Sequence, residues 1–381
     1  MVVFSGGGTG GHLYPALALI DGLSALRPDV RPFFMGARGG LEAEIVPQRG
    51  LDHILLPVRG LRRGVVWENL GVLLGLVRSL VVAGEVFTRM RPRMVVVTGG
   101  YAGGPAGIMA GLMGIPLALQ EQNSLPGATT RLLSRWARQV HLAFPEACRH
   151  LPKKARGRVR VSGNPVRSPA SLSQAEAREH FDIDPGARVV LVTGGSQGAE
   201  ALNRALLEAI GEVVQGALHR PEDLHLLWAT GPKNFRGVED RLESMGRPSW
   251  VRARGYINDM PEALAAATLA VGRAGAMTTS EFLASSLPAL LVPLPTAAAD
   301  HQTRNAESLA EAGVALHLPE SELSGEGLWS ALTTLLTEKD RLDAMVVAAR
   351  DRGCPGATRE IAEGLALLLP ELVPLERGMA S

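Results

Sequence analysis

A chain of 381 residues, 46% of them apolar and with 44 glycines and 25 prolines, is too long for one ordinary core and rich in tight turns, as expected of a two-domain α/β protein. Its two cysteines, Cys148 and Cys354, lie far apart in no metal-ligand spacing, which excludes a disulfide framework or a zinc site and fits a reducing cytoplasm. A net charge of +1 hides a division: residues 1–163 carry twenty Lys and Arg against nine Asp and Glu, or +11, and the remainder carries −10, so the first half is expected to face something anionic.

In chain order, "VVFSGGGTGGHLYPALAL" (2–19) reads as strand, glycine turn and helix, and no signal peptide is expected ahead of it. Gly6, Gly8 and Gly11 satisfy G-x-G-x-x-G, but the dinucleotide fingerprint also wants an acid at the end of the second strand. That strand, "VRPFFMGARGG", ends in Gly36, Ala37 and Arg38, and no GK[ST] loop occurs; NAD and P-loop readings are therefore excluded. The apolar stretch 65–84 is interrupted by Glu68, Asn69 and Arg78, which argues against a membrane span. Bracketed by Arg59, Arg62 and Arg63 and then by Arg89, Arg91 and Arg93, residues 67–87 read either as a face for an anionic membrane surface or as a core helix with surface arginines.

Further on, "MVVVTGG" (94–100), "IPLALQ" (115–120), "RVVLVTGG" (188–195), "LHLLWAT" (224–230) and "LPALLVP" (287–293) read as buried parallel strands between helical stretches. The same device recurs. "VVLVTGGSQGAEALNRAL" (189–206) repeats the opening, and "VVVTGGYAGGPAGIMAGL" (95–112) is matched by "LAVGRAGAMTTSEFL" (269–283). "RVRVSGNPVRSPAS" (158–171) reads as a linker near residue 163. Two Rossmann-like domains facing across a cleft are expected, with parallel sheets and a glycine turn opening the first helix of each.

Helix starts carry unpaired N–H groups and partial positive charge, and glycine lets phosphate approach them. A single such turn is as well explained by tight packing; four, placed symmetrically and two of them with polar groups (Thr9 and His12; Ser196 and Gln197), point to ligands. "DID" (182–184) fits the DxD pattern of metal-dependent glycosyltransferases, but Pro185 and Gly186 follow it, so a polar turn is the stronger reading and no protein-bound metal is expected. The first half has too few aromatics for a single-strand nucleic-acid reader.

Eight strings in order, "GGGTGGHLYPALA", "GGYAGGPAG", "QEQNSLPG", "SGNPVR", "GGSQGAEALN", "GYINDM", "RAGAMTTSE" and "DHQTRNAESLAEAG", resemble the MurG family of bacterial N-acetylglucosaminyltransferases. The resemblance covers nearly the whole chain. It implies a GT-B fold and an inverting transfer of GlcNAc from UDP-GlcNAc to the 4-hydroxyl of MurNAc in undecaprenyl-linked lipid I, giving lipid II for peptidoglycan synthesis. It implies an acceptor domain at 1–162, joined by a C-terminal tail at 355–381, and a donor domain at 163–354. A peripheral location on the cytoplasmic face of the membrane follows, with other cell-wall enzymes as further partners, no nucleic acid, no tightly bound cofactor, and room for Mg²⁺ to assist transiently.

On the donor side the resemblance implies that Gly195 and Ser196 face the diphosphate with Arg167 as charge partner. Tyr256 and Ile257 fall where uracil is held, Ala276, Met277 and Thr278 open the helix nearest the phosphates, Glu281 accepts from the ribose hydroxyls, and His301 and Gln302 read the GlcNAc hydroxyls. Thr9, Gly10, Gly11 and Asn123 are expected to reach the donor from the other half. "TTSE" is also a capping-box pattern, in which Glu281 serves its own helix, and Asp300 could serve as an N-cap; both alternatives stay open here.

On the acceptor side, Gly8, Thr9, Tyr101 and Asn123 match acceptor positions, and the first glycine loop is expected to take the acceptor diphosphate. His12 and Glu121 are the candidate bases. A free histidine titrates near ~6.5 and its neutral form accepts a proton at neutral pH, but a donor to phosphate at the helix start is an equal use of His12. The family's commoner "HEQN" is "QEQN" here, so Gln120 stands where a histidine is usual; Gly103 and Glu200 also depart from a usual Ser and Arg. A UDP-GlcNAc epimerase and a non-catalytic UDP-sugar sensor are the alternatives on the same architecture.

Overall fold

In the computed structural model the described residues are 1–60 and 66–369, with the side chains of 66–70 excluded. Arg62 and Arg63 of the basic bracket, the side chains of Glu68 and Asn69, and the end of the C-terminal tail (370–381) lie outside the described residues. The first half builds a seven-stranded sheet from β1 (Val2–Gly6), β2 (Pro32–Ala37), β3 (His53–Leu56), β4 (Met94–Gly99), β5 (Leu117–Glu121), β6 (Gln139–Leu142) and β7 (Val159–Val161). The second builds a six-stranded sheet from β8 (Arg188–Thr193), β9 (Leu224–Ala229), β10 (Val251–Arg254), β11 (Leu269–Gly272), β12 (Ala289–Leu291) and β13 (Ala315–His317). All five apolar runs read as strands are strands, paired in parallel. One correction falls on the linker: "RVRV" contributes β7, which pairs with β6 at the sheet edge.

The sheets run in the orders β3-β2-β1-β4-β5-β6-β7 and β10-β9-β8-β11-β12-β13, the same winding apart from the extra edge strand β7. The order reverses between β1 and β4, and again between β8 and β11. Those are the strands that carry the four glycine turns, so the sequence repeat lands on both switch points, where open α/β sheets bind ligands. Gly100 shows what the reversal requires: its φ is +71°, and a Cβ there would overlap the carbonyl of Gly7 on the neighbouring turn. Gly272, at the end of β11, stands against the carbonyl of Thr193 on β8 in the same way.

Alternating crossovers bury both faces of each sheet. Helix Gly10–Leu26 packs Leu13, Leu17 and Ile20 against Val2, Phe4 and Val96, and Ile361 and Leu365 of the last helix, Ala357–Ala366, join that cluster. The chain thus returns from the second sheet to cover the first. Helix Val66–Met90 buries Ser79, Ala83 and Phe87 at fourfold spacing and turns Leu73, Leu74, Val77 and Val81, each more than half exposed, to the outside. From Gly71 to Met90 it is long and apolar enough to cross a membrane by length and composition; the interruptions at Glu68 and Asn69 precede that stretch, so they do not exclude it.

Ile361→Ala should cost roughly 2–5 kcal/mol, as expected for a fully buried large-to-small change, lowering the denaturant midpoint. Hydrogen exchange should quicken at β1 and helix Gly10–Leu26; quickening confined to the second sheet would show that the last helix stabilises the wrong half.

Candidate active site

The first glycine turn is held from below by a residue that sequence patterns do not single out. Glu42, fully buried at the start of helix Glu42–Gln48, accepts from Gly8 N with both oxygens (3.1 and 3.0 Å) and from Ala37 N (3.0 Å). A carboxylate does therefore reach the end of β2, but backbone N–H groups occupy it. Thr9 is the N-cap of helix Gly10–Leu26 in extended conformation, without a side-chain cap, and Gly10 and Gly11 form the first turn with no acidic residue in it. Tyr101 lies against Gly8 and also against Gly60; burial first, then the Glu42 carboxylate, push its phenol above the usual range.

His12, in the same first turn, is gripped on two sides. The Thr98 hydroxyl donates to its carbonyl (2.7 Å), and its Nδ1 meets Gln122 Oε1 (2.8 Å) and Thr98 O (3.1 Å). Glu121, the other candidate base, is buried at the end of β5. Its Oε1 accepts from Gln122 N, Asn123 N and Asn123 Nδ2 (3.1, 3.2 and 3.3 Å) and its Oε2 from Gly127 N (3.0 Å). Both oxygens thus clamp the 122–127 loop.

Across the seam, Asn305 of helix His301–Glu311 accepts from Ser124 N and Oγ (both 3.0 Å) and donates to Asn123 Oδ1 (3.3 Å). Asn164, at the junction, donates to Ser280 Oγ (2.8 Å) and Ala276 O (3.3 Å) on one side and to Gln122 O (3.1 Å) on the other. These two buried amides, whose partners lie too far along the chain for motif spacing to reveal, fix the halves against each other. His301 then falls within electrostatic reach of Glu121 and His12. Its Nδ1 is buried without a partner, and burial lowers its pKa. It follows Ala299 and Asp300, both at positive φ (53° and 57°), a costly backbone for non-glycine residues. Asp300 is the N-cap by position but makes no side-chain cap bond. Gln302 Oε1 accepts from Leu294 N (3.0 Å).

On the donor side, helix Ala276–Ala284 opens at Ala276 with Gly275 as N-cap and no side-chain cap bond. Met277 and Thr278 lie in its first turn, and Glu281 comes too late to close a capping box, so the capping alternative falls. Glu281 is instead pushed up to about 7, by burial first, with the nearby Arg167 guanidinium pulling the other way. Exposed Arg167 donates to Asn258 O (3.3 Å), beside Ile257, which is buried, and Tyr256, which is half-exposed. Gly195 N donates to Thr193 Oγ1 (3.2 Å), and Ser196 stands exposed on that turn. Asp184 Oδ1 accepts from Gly186 N (2.7 Å), closing a turn at "DID". Among the described residues no group of three His, Cys, Asp or Glu is gathered to hold a metal ion.

Two doubly wound sheets facing each other, with helix starts and polar side chains converging at their switch points, define the GT-B architecture of nucleotide-sugar enzymes. Residues 2–142 match the glycosyltransferase family 28 N-terminal domain and residues 189–359 the family 28 C-terminal domain. The chain belongs to glycosyltransferase family 28, and within it to the MurG family. It is 40% identical over 365 residues to a relative from Moorella thermoacetica (94% of this chain, 96% of that one), and 42% identical over 365 residues to one from Chlorobium luteolum (95% and 97%). Each is named a UDP-N-acetylglucosamine–N-acetylmuramyl-(pentapeptide) pyrophosphoryl-undecaprenol N-acetylglucosamine transferase. The crystal structure of Acinetobacter baumannii MurG superposes with a TM-score of 0.76 at 28% identity, covering 96% of this chain and 99% of that one.

Glu281 yields a pH prediction. Its folded pKa of about 7 stands above the ordinary 4.5, so its contribution to stability is full below pH ~4.5 and is lost as pH rises through ~7. Glu281→Gln should therefore gain in melting temperature relative to wild type on going from pH 5.5 to 8.5. An unchanged difference between the two proteins would place Glu281 in a more polar setting.

Proposed function

We propose that the chain transfers GlcNAc from UDP-GlcNAc to the 4-hydroxyl of MurNAc in a polyprenyl-pyrophosphoryl acceptor, with inversion at the anomeric carbon. The observation that carries this reading is that His301, at the start of helix His301–Glu311 in the second half, lies within electrostatic reach of His12 on the glycine turn of the first, in a chain with nearly full-length relatives of that name. The acceptor oxygen attacks C1 as the C1–O bond to UDP breaks. The electron pair leaves on the diphosphate, and the hydroxyl proton goes to His12. Glu121 is less suited to take it, because both its oxygens are occupied by loop N–H groups.

Charge builds on the leaving diphosphate. Backbone N–H groups at the start of helix Ala276–Ala284, the turn at Gly195 and Ser196, and Arg167 suit that task as preorganised dipoles and a fixed cation. Glu281 suits the ribose hydroxyls, and Tyr256 and the backbone at Ile257 suit the base. His301 and Gln302 suit the GlcNAc, with Thr9, Gly10, Gly11 and Asn123 closing from the other side. Gly8, Thr9, Tyr101 and Asn123 belong to the acceptor, Gly8 through its place in the turn, since its N–H is already taken by Glu42. Residues 1–162 with the C-terminal tail form the acceptor unit and 163–354 the donor unit.

The acceptor's lipid assigns a role to helix Val66–Met90. One face packs on the domain while Leu73, Leu74, Val77 and Val81 face outward, and exposed Arg59, Arg89, Arg91 and Arg93 flank it. A helix packed along one side suits lying on a membrane surface, with each basic residue near anionic lipid contributing roughly 1 kcal/mol. Its start follows the Pro57–Gly60 segment that leads to Tyr101, so a membrane-anchored acceptor reaches the glycine turn from that side. The enzyme then works at the cytoplasmic face.

Two measurements test this. UDP release from UDP-GlcNAc should require a short-chain lipid I analogue, and His12→Ala should cut it by ~100-fold or more, as for loss of a general base, with UDP affinity intact. UDP appearing equally without acceptor would sink the transfer reading. Wild type should co-sediment with phosphatidylglycerol vesicles at low salt and be released as salt screens the arginines, while the double variant Leu74→Glu, Val77→Glu stays in the supernatant. Equal binding by that variant would remove the helix from the membrane.

A further inference from the structure

Behind His12 runs a chain of side-chain amides that no catalytic role has so far used. Gln122 is buried, and its Nε2 donates to Thr98 O (2.7 Å) and Gln120 O (3.1 Å). Backbone carbonyls only accept, so these two bonds fix which end of the amide is nitrogen and turn Oε1 to His12. His12 Nδ1 therefore meets two groups that only accept, Gln122 Oε1 at 2.8 Å and Thr98 O at 3.1 Å. The proton of the neutral ring must sit on Nδ1.

The chain continues in one direction. Gln122 Nε2, with two hydrogens for three acceptors, shares one of them with Gln120 Oε1, Gln120 Nε2 donates to Asn164 Oδ1 (2.7 Å), and Asn164 Nδ2 to Gln122 O (3.1 Å) and Ser280 Oγ (2.8 Å). Ser280 lies on helix Ala276–Ala284 of the other half, so the relay joins the turn that bears His12 to the donor-side helix. Gln120, where the family's commoner motif has histidine, is its middle link.

We propose that Gln122, held in orientation by Gln120 and Asn164, is a positioning residue that keeps His12 in its Nδ1–H form and leaves the Nε2 lone pair to take the acceptor proton. The proposal rests on the reading of His12 as base and deepens it. Neutral His12 so held has no proton on Nε2 to donate to a phosphate, which separates the two uses of His12 that the sequence leaves open. Amides do not titrate, so the relay orients the ring without conducting a proton. The titratable groups around this part of the cleft are Glu42 beneath Gly8, Tyr101 against it, Glu121 on β5 and His301 on helix His301–Glu311. Among the described residues none of them bonds to His12 Nε2.

The test is ¹⁵N NMR of imidazole-labelled protein at pH 8, read with the pH profile of kcat. Wild type should show His12 with Nδ1 protonated and Nε2 bare; a neutral Nε2–H ring would overturn the proposal. Gln122→Met should raise the Nε2–H population and lower kcat about tenfold or more, short of the ~100-fold loss of removing the base, with the KM for UDP-GlcNAc unchanged. A wild-type tautomer and an unaltered profile in that variant would overturn it.

Gln122→Glu keeps an acceptor but adds charge that favours the imidazolium. A base acts unprotonated, so the ascending limb of kcat should move to higher pH; an unmoved limb counts against the contact. Gln120→His, which can still accept from Gln122 and donate to Asn164, should keep the wild-type tautomer. If Gln122→Met fails to fold, the wild-type spectrum still decides the tautomer. If the tautomer is as proposed but turnover is indifferent to both His12→Ala and Gln122→Met, the base reading fails while the relay stands.

Discussion

Where the crossovers reverse, between β1 and β4, the carbonyl of Gly7 lies so close to Gly100 that no Cβ fits between them, and Gly272 on β11 against the carbonyl of Thr193 on β8 repeats the condition in the second half. Strands can turn into helices there only if the chain is bare. The same bareness leaves N–H groups at the helix starts facing the cleft. On the proposed function packing thus leaves the helix starts that take the phosphates as a by-product, and the positions of the side chains around them follow from which strand ends the turns bring together. His12 on the first turn, Glu121 and Gln122 at the end of β5, and His301 at the start of the helix that follows β12 are placed by that geometry.

Buried polar groups then do what apolar packing cannot: they choose one relative arrangement. Unpaired, each buried amide or carboxylate would cost on the order of 1–3 kcal/mol. Glu42, Glu121, Gln120, Gln122, Asn164 and Asn305 all have partners. Because their bonds are directional, they hold the glycine turn, the 122–127 loop and the interdomain seam at defined positions. The amides orient the seam without the desolvation cost of a buried charge, and a partly exposed ion pair between Arg352 and Glu146 (2.7 Å) joins the halves beside them. The unpartnered Nδ1 of His301 breaks the pattern, as a group reserved for a ligand would.

Much of the fold is legible in the sequence because strands here are buried on both faces and so appear as short apolar runs bounded by glycine. The repeated turns even reveal the two switch points. What escapes is long-range and polar. Glu42 reads as an ordinary acid at a helix start, because nothing in "LEAE" says that it will cap a turn 34 residues earlier. Asn305 lies in a quoted motif, but its bond to Ser124 crosses 181 positions. "RVRV" looks like linker because two prolines follow it and it is too short to show a period, and the edge strand it forms is largely exposed. The capping-box reading of "TTSE" fails for a local reason: Gly275 starts the helix earlier than the threonines suggest.

The division of charge takes its sense from the two substrates. A nucleotide sugar arrives from water already anionic, and a basic domain would hold it without needing side-chain discrimination; the donor half is acidic overall and relies on backbone dipoles, Arg167 and a few polar side chains. On the proposed function a lipid-linked pyrophosphate is confined to a surface that is itself anionic, and net positive charge and an apolar helix face suit the half that meets it there. On the proposed function, each half therefore carries the charge its substrate's surroundings demand rather than the charge of the substrate. Asn305 and Asn164 close the gap between them, because an inverting transfer needs the acceptor hydroxyl and the sugar C1 at near-attack distance, and only a seam fixed by directional bonds can bring a membrane-bound nucleophile and a soluble donor to that separation.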